Sequence, residues 1–260
     1  RLGFIGARKT ATLRAGQVDN RQGSVVGSDQ LHVQATGLDN REGNVQSVKG
    51  MHLSLGDTSL DNRSGLIRAG GSLDIHAGAI DNDHPFNGDR AAQQQKGIQA
   101  NTVVLAGSAL NNRTGFVAAT LALDFKLSDK IDNQNGFATS LGATRISNPS
   151  GALVLNNEQG YISAKTSMLV QGAQLEGQQG TFAADQLTLD LKGDYRNTHS
   201  MIGQSQLDLT ATGDVRNDAT LTSGGTLTLN ARHIQNAQAG QIQGRQARVN
   251  ASGTLENQGL

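Results

Sequence analysis

The chain contains no cysteine and no tryptophan, only two prolines, and only 3% aromatic residues. Without cysteine there is no disulfide framework and no cysteine-ligated metal. With so few aromatic side chains, a core centred on large aromatic residues is excluded, although many thin aliphatic layers are not. Glycine and asparagine recur at regular intervals instead of clustering, which argues against a disordered or collagen-like chain. The composition therefore favours an ordered chain built from small, similar layers.

Charge of either sign is not in excess, since Lys+Arg and Asp+Glu both number 22. A chain without net charge has no overall basic field to recruit nucleic acid or anionic lipid, so we expect no nucleic-acid partner. No run of about 18 apolar residues occurs, and the N-terminal residues lack a basic start followed by an apolar stretch. We therefore predict that this segment neither inserts into a membrane nor carries its own targeting signal.

The chain does contain a repeat of about 20 residues. In each repeat an apolar residue is followed two positions later by Asn and three positions after that by Gly, which Ser200 and Thr220 replace in later repeats. The repeats start at Val18, Leu38, Leu60, Ile80, Leu110, Ile131, Leu155, Leu175, Tyr195, Val215, Ile234 and Leu255. Asn occupies its position in eleven of the twelve repeats, with Gly177 as the exception. The asparagines are Asn20, Asn40, Asn62, Asn82, Asn112, Asn133, Asn157, Asn197, Asn217, Asn236 and Asn257.

Apolar and polar residues alternate within each repeat, as in Leu73-x-Ile75-x-Ala77, and this period of two is typical of β-strands. Two or three short strands in one repeat cannot bury an apolar face alone, but stacked coils bury it against one another. The sequence therefore predicts an all-β chain, a single right-handed parallel β-helix of about eleven coils over residues 1–260, on the order of 50 Å long. The Leu-x-Leu pairs that begin at Leu187, Leu207 and Leu227 lie one residue early, which predicts local bulges or shorter turns.

The Asn-x-x-Gly segment is predicted to form the corner between two strands, because Asn tolerates a left-handed backbone and Gly adopts one freely. This Asn column is expected to be structural, and its side chains can hydrogen-bond along the stack as an amide ladder. Charged residues flank the Asn in the pairs Asp19/Arg21, Asp39/Arg41 and Asp61/Arg63. Stacking turns them into an acidic column beside a basic column, with a small net contribution to stability.

One insertion interrupts the repeats, from Asp83 to Gly97, and adds about ten residues at a corner. Insertions in solenoids map to surface loops, and loops on rigid scaffolds often carry contacts. The insertion is either a tolerated loop without a partner or, together with an Arg column that grips sulfate or carboxylate groups, a receptor- or glycan-binding site. The candidate binding residues are Arg21, Arg41, Arg63, His84, Phe86, Asp89 and Arg90.

Catalysis and metal binding have little support in the sequence. Asp81, Asp83, Asp89 and His84 form a local cluster, but no opposing wall of a groove and no nucleophile, zinc or phosphate-binding motif accompanies it, so we predict no enzyme. Outward-facing histidines are expected at His32 and His52, with His76 displaced by two residues. A third ligand is missing, so we predict neither a metal nor another cofactor.

The segment from Leu60 to Asn82, with its Asn-x-x-Gly corner and later Leu-x-Ile strand, resembles the haemagglutinin repeat of filamentous haemagglutinin-like exoproteins. That family includes large bacterial adhesins and contact-dependent growth inhibition effectors. The resemblance extends from Val18 to Leu260 and weakens at Gly177 and from Asp83 to Gly97. The chain starts and stops inside repeats, which predicts one β-helical segment of a longer fibre.

The resemblance also implies a function, a location and partners. It implies a structural or adhesive shaft that displays a distal binding or toxin element and contributes to virulence. It implies two-partner secretion, in which an outer-membrane β-barrel transporter exports the chain to the outer face of a Gram-negative cell. The resemblance also allows a cell-surface protein or a glycan as a receptor for the chain.

Overall fold

The computed structural model describes residues 3–84, 95–148 and 150–259, and it confirms the predicted parallel β-helix. The described residues form strands and corners without any helix, in about 12 turns where the sequence predicted about eleven. Consecutive coils pair in parallel with the predicted register, as Val18 does with Leu38 and Leu110 with Ile131. At a rise of about 4.8 Å per coil, the stack is roughly 55 Å long.

Each coil has three strand positions, which we call faces 1, 2 and 3 in the order that follows the Asn corner. The short strands of face 1 are β1 (Phe4–Ala7), β4 (Ser24–Gly27), β7 (Asn44–Ser47), β10 (Leu66–Ala69), β14 (Phe137–Ser140) and β17 (Tyr161–Ala164). Those of face 2 are β2 (Ala11–Arg14), β5 (Gln30–Gln34), β8 (Gly50–Ser54), β15 (Ala143–Ser147) and β18 (Ser167–Gln171).

Face 3 carries the strands that start each repeat, and several longer strands bend across more than one face. The strands of face 3 are β3 (Val18–Asp19), β6 (Leu38–Asp39), β9 (Ser59–Asp61), β16 (Leu153–Asn156), β19 (Ala173–Glu176), β21 (Tyr195–Asn197), β23 (Val215–Asn217), β25 (Ile234–Asn236) and β27 (Leu255–Asn257). The longer strands are β11 (Ser72–Asp81), β12 (Gly97–Asn111), β13 (Phe116–Asp132), β20 (Thr181–Leu191), β22 (Ser200–Ala211), β24 (Thr220–Ala231) and β26 (Gln241–Ala251).

The core is a set of aliphatic columns that run the length of the stack. On face 2, for example, Leu31, Met51, Leu73, Val103 and Leu123 pair in succession, and all of them are buried. Burying one such side chain contributes about 1.5–3 kcal/mol, so the small contribution of each layer accumulates along the rod. Because each coil buries its layer against its neighbours, the columns explain why one repeat cannot fold alone.

The shifted Leu-x-Leu pairs do mark irregular pairing, as the sequence predicted. The register of β20 against β22 shifts between Ala184 and Gln186, and that of β24 against β26 shifts between Ser223 and Thr226. A bulge at the corner between faces 1 and 2 absorbs the difference in length. The inward positions therefore stay in register on both sides of it.

The corner backbone differs from the sequence prediction. Neither the Asn nor the corner Gly has a positive φ. The residue directly before the Gly does, with φ of 51–58° in seven corners. These residues are Gln22, Glu42, Ser64, Thr114, Asn135, Gln159 and Gln179. The left-handed position faces solvent, where the strain of a side chain at positive φ is tolerated without a glycine.

Glycine is needed at the corner for space and not for its φ. A Cβ on Gly136 would lie 2.1 Å from the carbonyl oxygen of Asn112 in the preceding coil, and one on Gly65 would lie 2.2 Å from that of Asn40. Such contacts are closer than atoms can approach, so the stack admits only hydrogen at this point. Ser200 and Thr220 do not replace this Gly, because both pair within strands of face 1 and their corners are one residue shorter.

Candidate functional site

The flanking aspartates and arginines form intra-coil ion pairs on the outer surface. Arg21 donates from Nε and Nη2 to the two carboxylate oxygens of Asp19 at 2.9 and 2.6 Å. Arg41 and Arg63 make the same two-point contact with Asp39 and Asp61. Each Arg also lies 3.4–3.6 Å from the Asp of the next coil. The two predicted columns are therefore one zipper of alternating charges, which we call the Asp–Arg zipper.

Hydrogen bonding within the zipper favours the charged form of both partners. The side-chain and backbone hydrogen bonds from Arg21 hold the pKa of Asp19 down to about 2. The side chain of Arg41 lowers the pKa of Asp39 in the same way, although partial burial opposes it. Asp81, which follows at the end of the zipper, behaves differently because its burial raises the pKa. The arginine side chains of the zipper are 41–55% exposed to solvent, so its net stabilisation is small.

The candidate Arg column is therefore already engaged. Arg21, Arg41 and Arg63 direct the fork of each guanidinium at a carboxylate of the same coil. A sulfate or carboxylate of a polysaccharide has to compete with that bidentate pair, which is the strongest geometry an Arg makes with an oxyanion. The structure brings the three predicted arginines together, but their guanidinium groups are bonded to aspartates and are not free to bind a ligand.

The insertion begins later than the sequence indicated. Asp83 and His84 keep the register of a regular corner, because Ser64 N donates to Asp83 O and His84 N donates to Arg113 O. Gly97 is already the first residue of β12 and pairs with Leu66. Three of the candidate binding residues, Phe86, Asp89 and Arg90, lie outside the described residues. The described part of the insertion corner thus contributes only His84 from that set.

His84 is tied to the scaffold on both sides. Its Nδ1 lies 3.1 Å from Ser64 Oγ, and the backbone carbonyl of His84 accepts a hydrogen bond from Thr114 Oγ1. Burial, with a smaller effect from Lys96, lowers the pKa of His84. The imidazole is therefore neutral near pH 7 and is used to bridge neighbouring corners.

The carboxylates considered for catalysis are also occupied. Asp81 Oδ1 accepts from Asn111 Nδ2 at 3.0 Å and from the backbone nitrogen of Asp83 at 3.3 Å. Asp83 Oδ1 lies 3.0 Å from Thr114 Oγ1. Asp89 lies outside the described residues. The described carboxylates act as corner acceptors and show no pairing across a groove.

The outward histidines lie where the sequence predicted them. His32 pairs with His52 in register, and His76 is displaced by two residues, with its ring centroid 6.2 Å from that of His52. Among the residues that the structure describes, no group of three or more His, Cys, Asp or Glu side chains is placed to hold a metal ion. The absence of a metal or other cofactor stays a prediction.

The Asn column forms an amide ladder inside the corner. The side-chain nitrogen of each Asn donates to the side-chain oxygen of the Asn in the next coil at 2.7–2.8 Å. Six of these bonds link Asn20 to Asn157, and three link Asn197 to Asn257. A buried primary amide is satisfied only if it both donates and accepts, and the ladder provides both.

The ladder is interrupted at Gly177, and Tyr195 compensates on one side of the gap. Asn197 Oδ1 has no Asn amide donor in the preceding coil, where Gly177 lies. It instead accepts from Tyr195 Oη at 3.0 Å and from His199 N at 3.2 Å. Tyr195 is buried, and this burial raises the pKa of its hydroxyl well above the usual range, so the hydroxyl stays a donor. Sequence reasoning placed Tyr195 as an apolar column residue and missed its hydroxyl.

Replacing Tyr195 with Phe is expected to lower the free energy of unfolding by about 1 kcal/mol, because Asn197 Oδ1 loses its side-chain donor while the ring still packs. Chemical denaturation followed by circular dichroism measures the change. Tyr161→Phe is the matched control, since Tyr161 is exposed and its change should stay within about 0.5 kcal/mol. An equal effect at both tyrosines contradicts the assigned role of the Tyr195 hydroxyl.

The fold and its surface define a class of protein: a structural β-solenoid whose regular side chains serve packing, corner formation and inter-coil hydrogen bonding. The chain belongs to the haemagglutinin repeat family, whose model matches residues 2–56, 53–84, 118–217 and 202–259. The matches leave out 85–117, which contain the insertion. Neither the comparison with curated proteins nor the comparison with solved structures found a match.

Membership of this family gives the coarse function. The chain is an adhesin-like shaft of a secreted surface exoprotein, and its fold and family are typical of structural adhesins and not of enzymes. In the described part of the chain there is no helix that is long and apolar enough to cross a membrane.

Proposed function

We propose that this chain is a rigid shaft that holds a distal binding or toxin element away from the surface of a Gram-negative cell. The observation that carries the proposal is that the repeated side chains are all used by folding. The aliphatic columns are buried, the asparagines bond to one another, and the zipper arginines bond to their own aspartates. A surface whose regular groups are already paired suits a spacer better than a receptor site.

The stacking pattern supports a spacer in a second way. Neighbouring coils are joined by parallel backbone pairing on faces 1 and 2 from β1 to β26, including the long β12–β13 and β22–β24 pairings. Such continuous pairing gives a stiff rod whose length grows by a fixed rise with each coil. For export we propose a partner outer-membrane β-barrel transporter, and the absence of cysteine fits passage of an unfolded chain.

The test removes one whole coil from the intact secreted protein. Deleting residues 20–39 joins Asp19 to Asn40, which occupies the position of Asn20, and it keeps the register of all three faces. If the chain is a shaft, surface display and attachment to target cells are retained, and the rod is shorter by about 4.8 Å. Deleting residues 20–29 is the matched control, because half a coil destroys the register and should prevent folding.

A second arm of the same experiment addresses a binding site on this segment. Deletion of residues 85–95 combined with Lys96→Gly restores a regular corner, since Ile98 then follows Asn82 at the spacing of Val117 from Asn112. Arg21→Gln, Arg41→Gln and Arg63→Gln are added to neutralise the zipper. Retained attachment supports the shaft. Lost attachment by a protein that is folded and displayed overturns it in favour of a receptor or glycan site at the loop and zipper.

A further inference from the structure

Two ladders stop at the same place in the rod. On face 3, β19 pairs with β16, but among the described residues no strand pairing joins β19 to β21, and β21 begins a separate four-stranded sheet. The amide ladder is interrupted between the same two coils, because Gly177 has no side-chain amide. We call this boundary on face 3, between Ala173–Glu176 and Tyr195–Asn197, the seam.

The wall of the rod is less closed at the seam. Leu175 is in register with Leu155 and belongs to the same inward column, yet Leu155 is buried and Leu175 is partly exposed. Faces 1 and 2 remain joined across the same boundary, since β20 pairs with both β17 and β18. The seam is therefore a local gap in one face and not a break in the rod.

Side chains replace the missing ladders at the corner of the seam. Thr198 Oγ1 donates to Gly177 O at 2.8 Å, and His199 Nε2 lies 3.1 Å from Glu176 O. One backbone hydrogen bond, from Gln179 N to Thr198 O, has a length of 3.0 Å. We call these three contacts, made by Thr198 and His199 with the preceding coil, the clasp. His199 packs edge-on against Phe182 with ring centroids 5.5 Å apart, and its exposure is only 1%.

The second ring nitrogen of His199 makes this clasp sensitive to protonation. With Nε2 donating to Glu176 O, Nδ1 is the unprotonated nitrogen of the neutral ring, and it is buried without a hydrogen-bond partner. A proton added there creates a buried N–H and a buried positive charge with nothing to accept either. Solvent has to enter, or the ring has to leave, for the charged form to exist.

We propose that the seam is an acid-released latch: neutral His199 holds the two sides of face 3 together, and its protonation opens them. No neighbouring charge offsets the cost of protonation. The Glu176 side chain is exposed, and Tyr195 on the same coil is a buried neutral phenol. Asp218 in the adjoining cleft is engaged by two cations, because it forms ion pairs with Arg196 and Arg216.

The direction of the pH response follows from linkage. Burial lowers the pKa of His199 to about 4, and its hydrogen bond to Glu176 O only partly opposes this. Once opened, the imidazole has an ordinary value of about 6.5, so the open state binds more protons between these two values. The latch is fully effective above pH 6.5 and weakens as the pH falls towards 4. The equilibrium constant for opening rises by up to about tenfold per pH unit in this window.

Hydrogen exchange measured by mass spectrometry on the whole chain tests the latch. After correction for the pH dependence of intrinsic exchange, peptides covering 173–200 are expected to lose at least about tenfold in protection between pH 7 and pH 5. Peptides from the regular corner at 133–137 should not change. In His199→Gln, which retains an amide donor for Glu176 O but does not titrate, the acid response should disappear.

His233→Gln is the matched control, since His233 is only partly buried and bonds Thr254 at another corner, and this variant should respond to acid like the native chain. Equal protection at both pH values in the native chain overturns the proposal, and so does an acid response that persists in His199→Gln. If His199→Gln does not fold, NMR titration of the native histidines decides. A pKa of His199 well below 6.5, reached together with loss of protection, supports the latch, and a pKa of 6.5 or higher overturns it.

Discussion

Replacing Leu73 with Asp is expected to unfold several neighbouring coils. Leu73 is fully buried between Met51 and Val103 in the face 2 column. Among the residues that the structure describes, no Lys or Arg is buried in the core to pair with a carboxylate there. The new group either remains ionised at a large desolvation cost or is protonated and still lacks a partner. We expect a loss of more than about 4 kcal/mol in the free energy of unfolding, comparable to the stability of many domains.

Far-UV circular dichroism and limited proteolysis measure this loss. Leu141→Asp is the matched control, because Leu141 is 65% exposed and the same substitution there leaves the new carboxylate in water. Its effect should stay within about 0.5 kcal/mol. If Leu73→Asp keeps the native spectrum and resistance to protease, the inward register assigned to face 2 is wrong.

The Gly136→Ala substitution is expected to have the second-largest effect, for a steric reason. The added methyl group would lie 2.1 Å from the carbonyl oxygen of Asn112, which is backbone and cannot rotate away. Relief requires the two coils to separate, which stretches the hydrogen bonds from Asn112 Nδ2 to Asn133 Oδ1 and to Phe137 O. Overpacking of this kind typically costs about 1–3 kcal/mol, and the weakening of these two hydrogen bonds adds to it.

Denaturant unfolding at equilibrium gives the size of this effect. Gly16→Ala is the matched control, because a Cβ at Gly16 meets nothing within 4 Å. Removing a glycine from an open position with ordinary φ leaves stability unchanged or slightly higher. A Gly136→Ala protein as stable as the Gly16→Ala protein contradicts the view that corner glycines are selected for space.

The periodic part of the fold was accessible from the sequence because each coil repeats the same physical requirement. An inward leucine such as Leu73 must meet the leucine or valine of the next coil, so its spacing is fixed by the length of one turn. The same holds for Asn112 and its neighbours, whose amides need partners one coil away. Repetition turns each requirement into a visible period.

The corner backbone was not accessible in this way. The left-handed position is occupied by Gln, Glu, Ser, Thr or Asn, and it leaves no composition signal because solvent accepts all of them. The corner Gly gives a clear signal, but that signal has two physical explanations, positive φ or lack of space. The structure distinguishes them, because the φ of Gly136 is not positive and a Cβ on Gly136 would lie 2.1 Å from Asn112 O.

The seam could not be predicted from the sequence, because the 20-residue spacing of the repeats continues unchanged across it. Leu175 and Tyr195 are 20 residues apart, as in regular repeats, although face 3 is unpaired between them. The one available signal was Gly177 as the single missing Asn, together with a Tyr at the start of the next repeat. The site residues were only partly accessible. The sequence places Arg21 close to Asp19, but it does not say whether the guanidinium group bonds to that carboxylate or is free to bind a ligand.

The amide ladder gives the rod a direction. From Asn20 to Asn157 every side-chain nitrogen points towards the following coil and every oxygen towards the preceding one, so the amide dipoles add. Aligned hydrogen bonds polarise one another, and each bond therefore strengthens the next. A folded coil also presents an Asn side-chain nitrogen to the coil that follows it, so the next Asn can bond to it only through its side-chain oxygen. Lengthening the fibre by duplication of whole coils preserves this polarity.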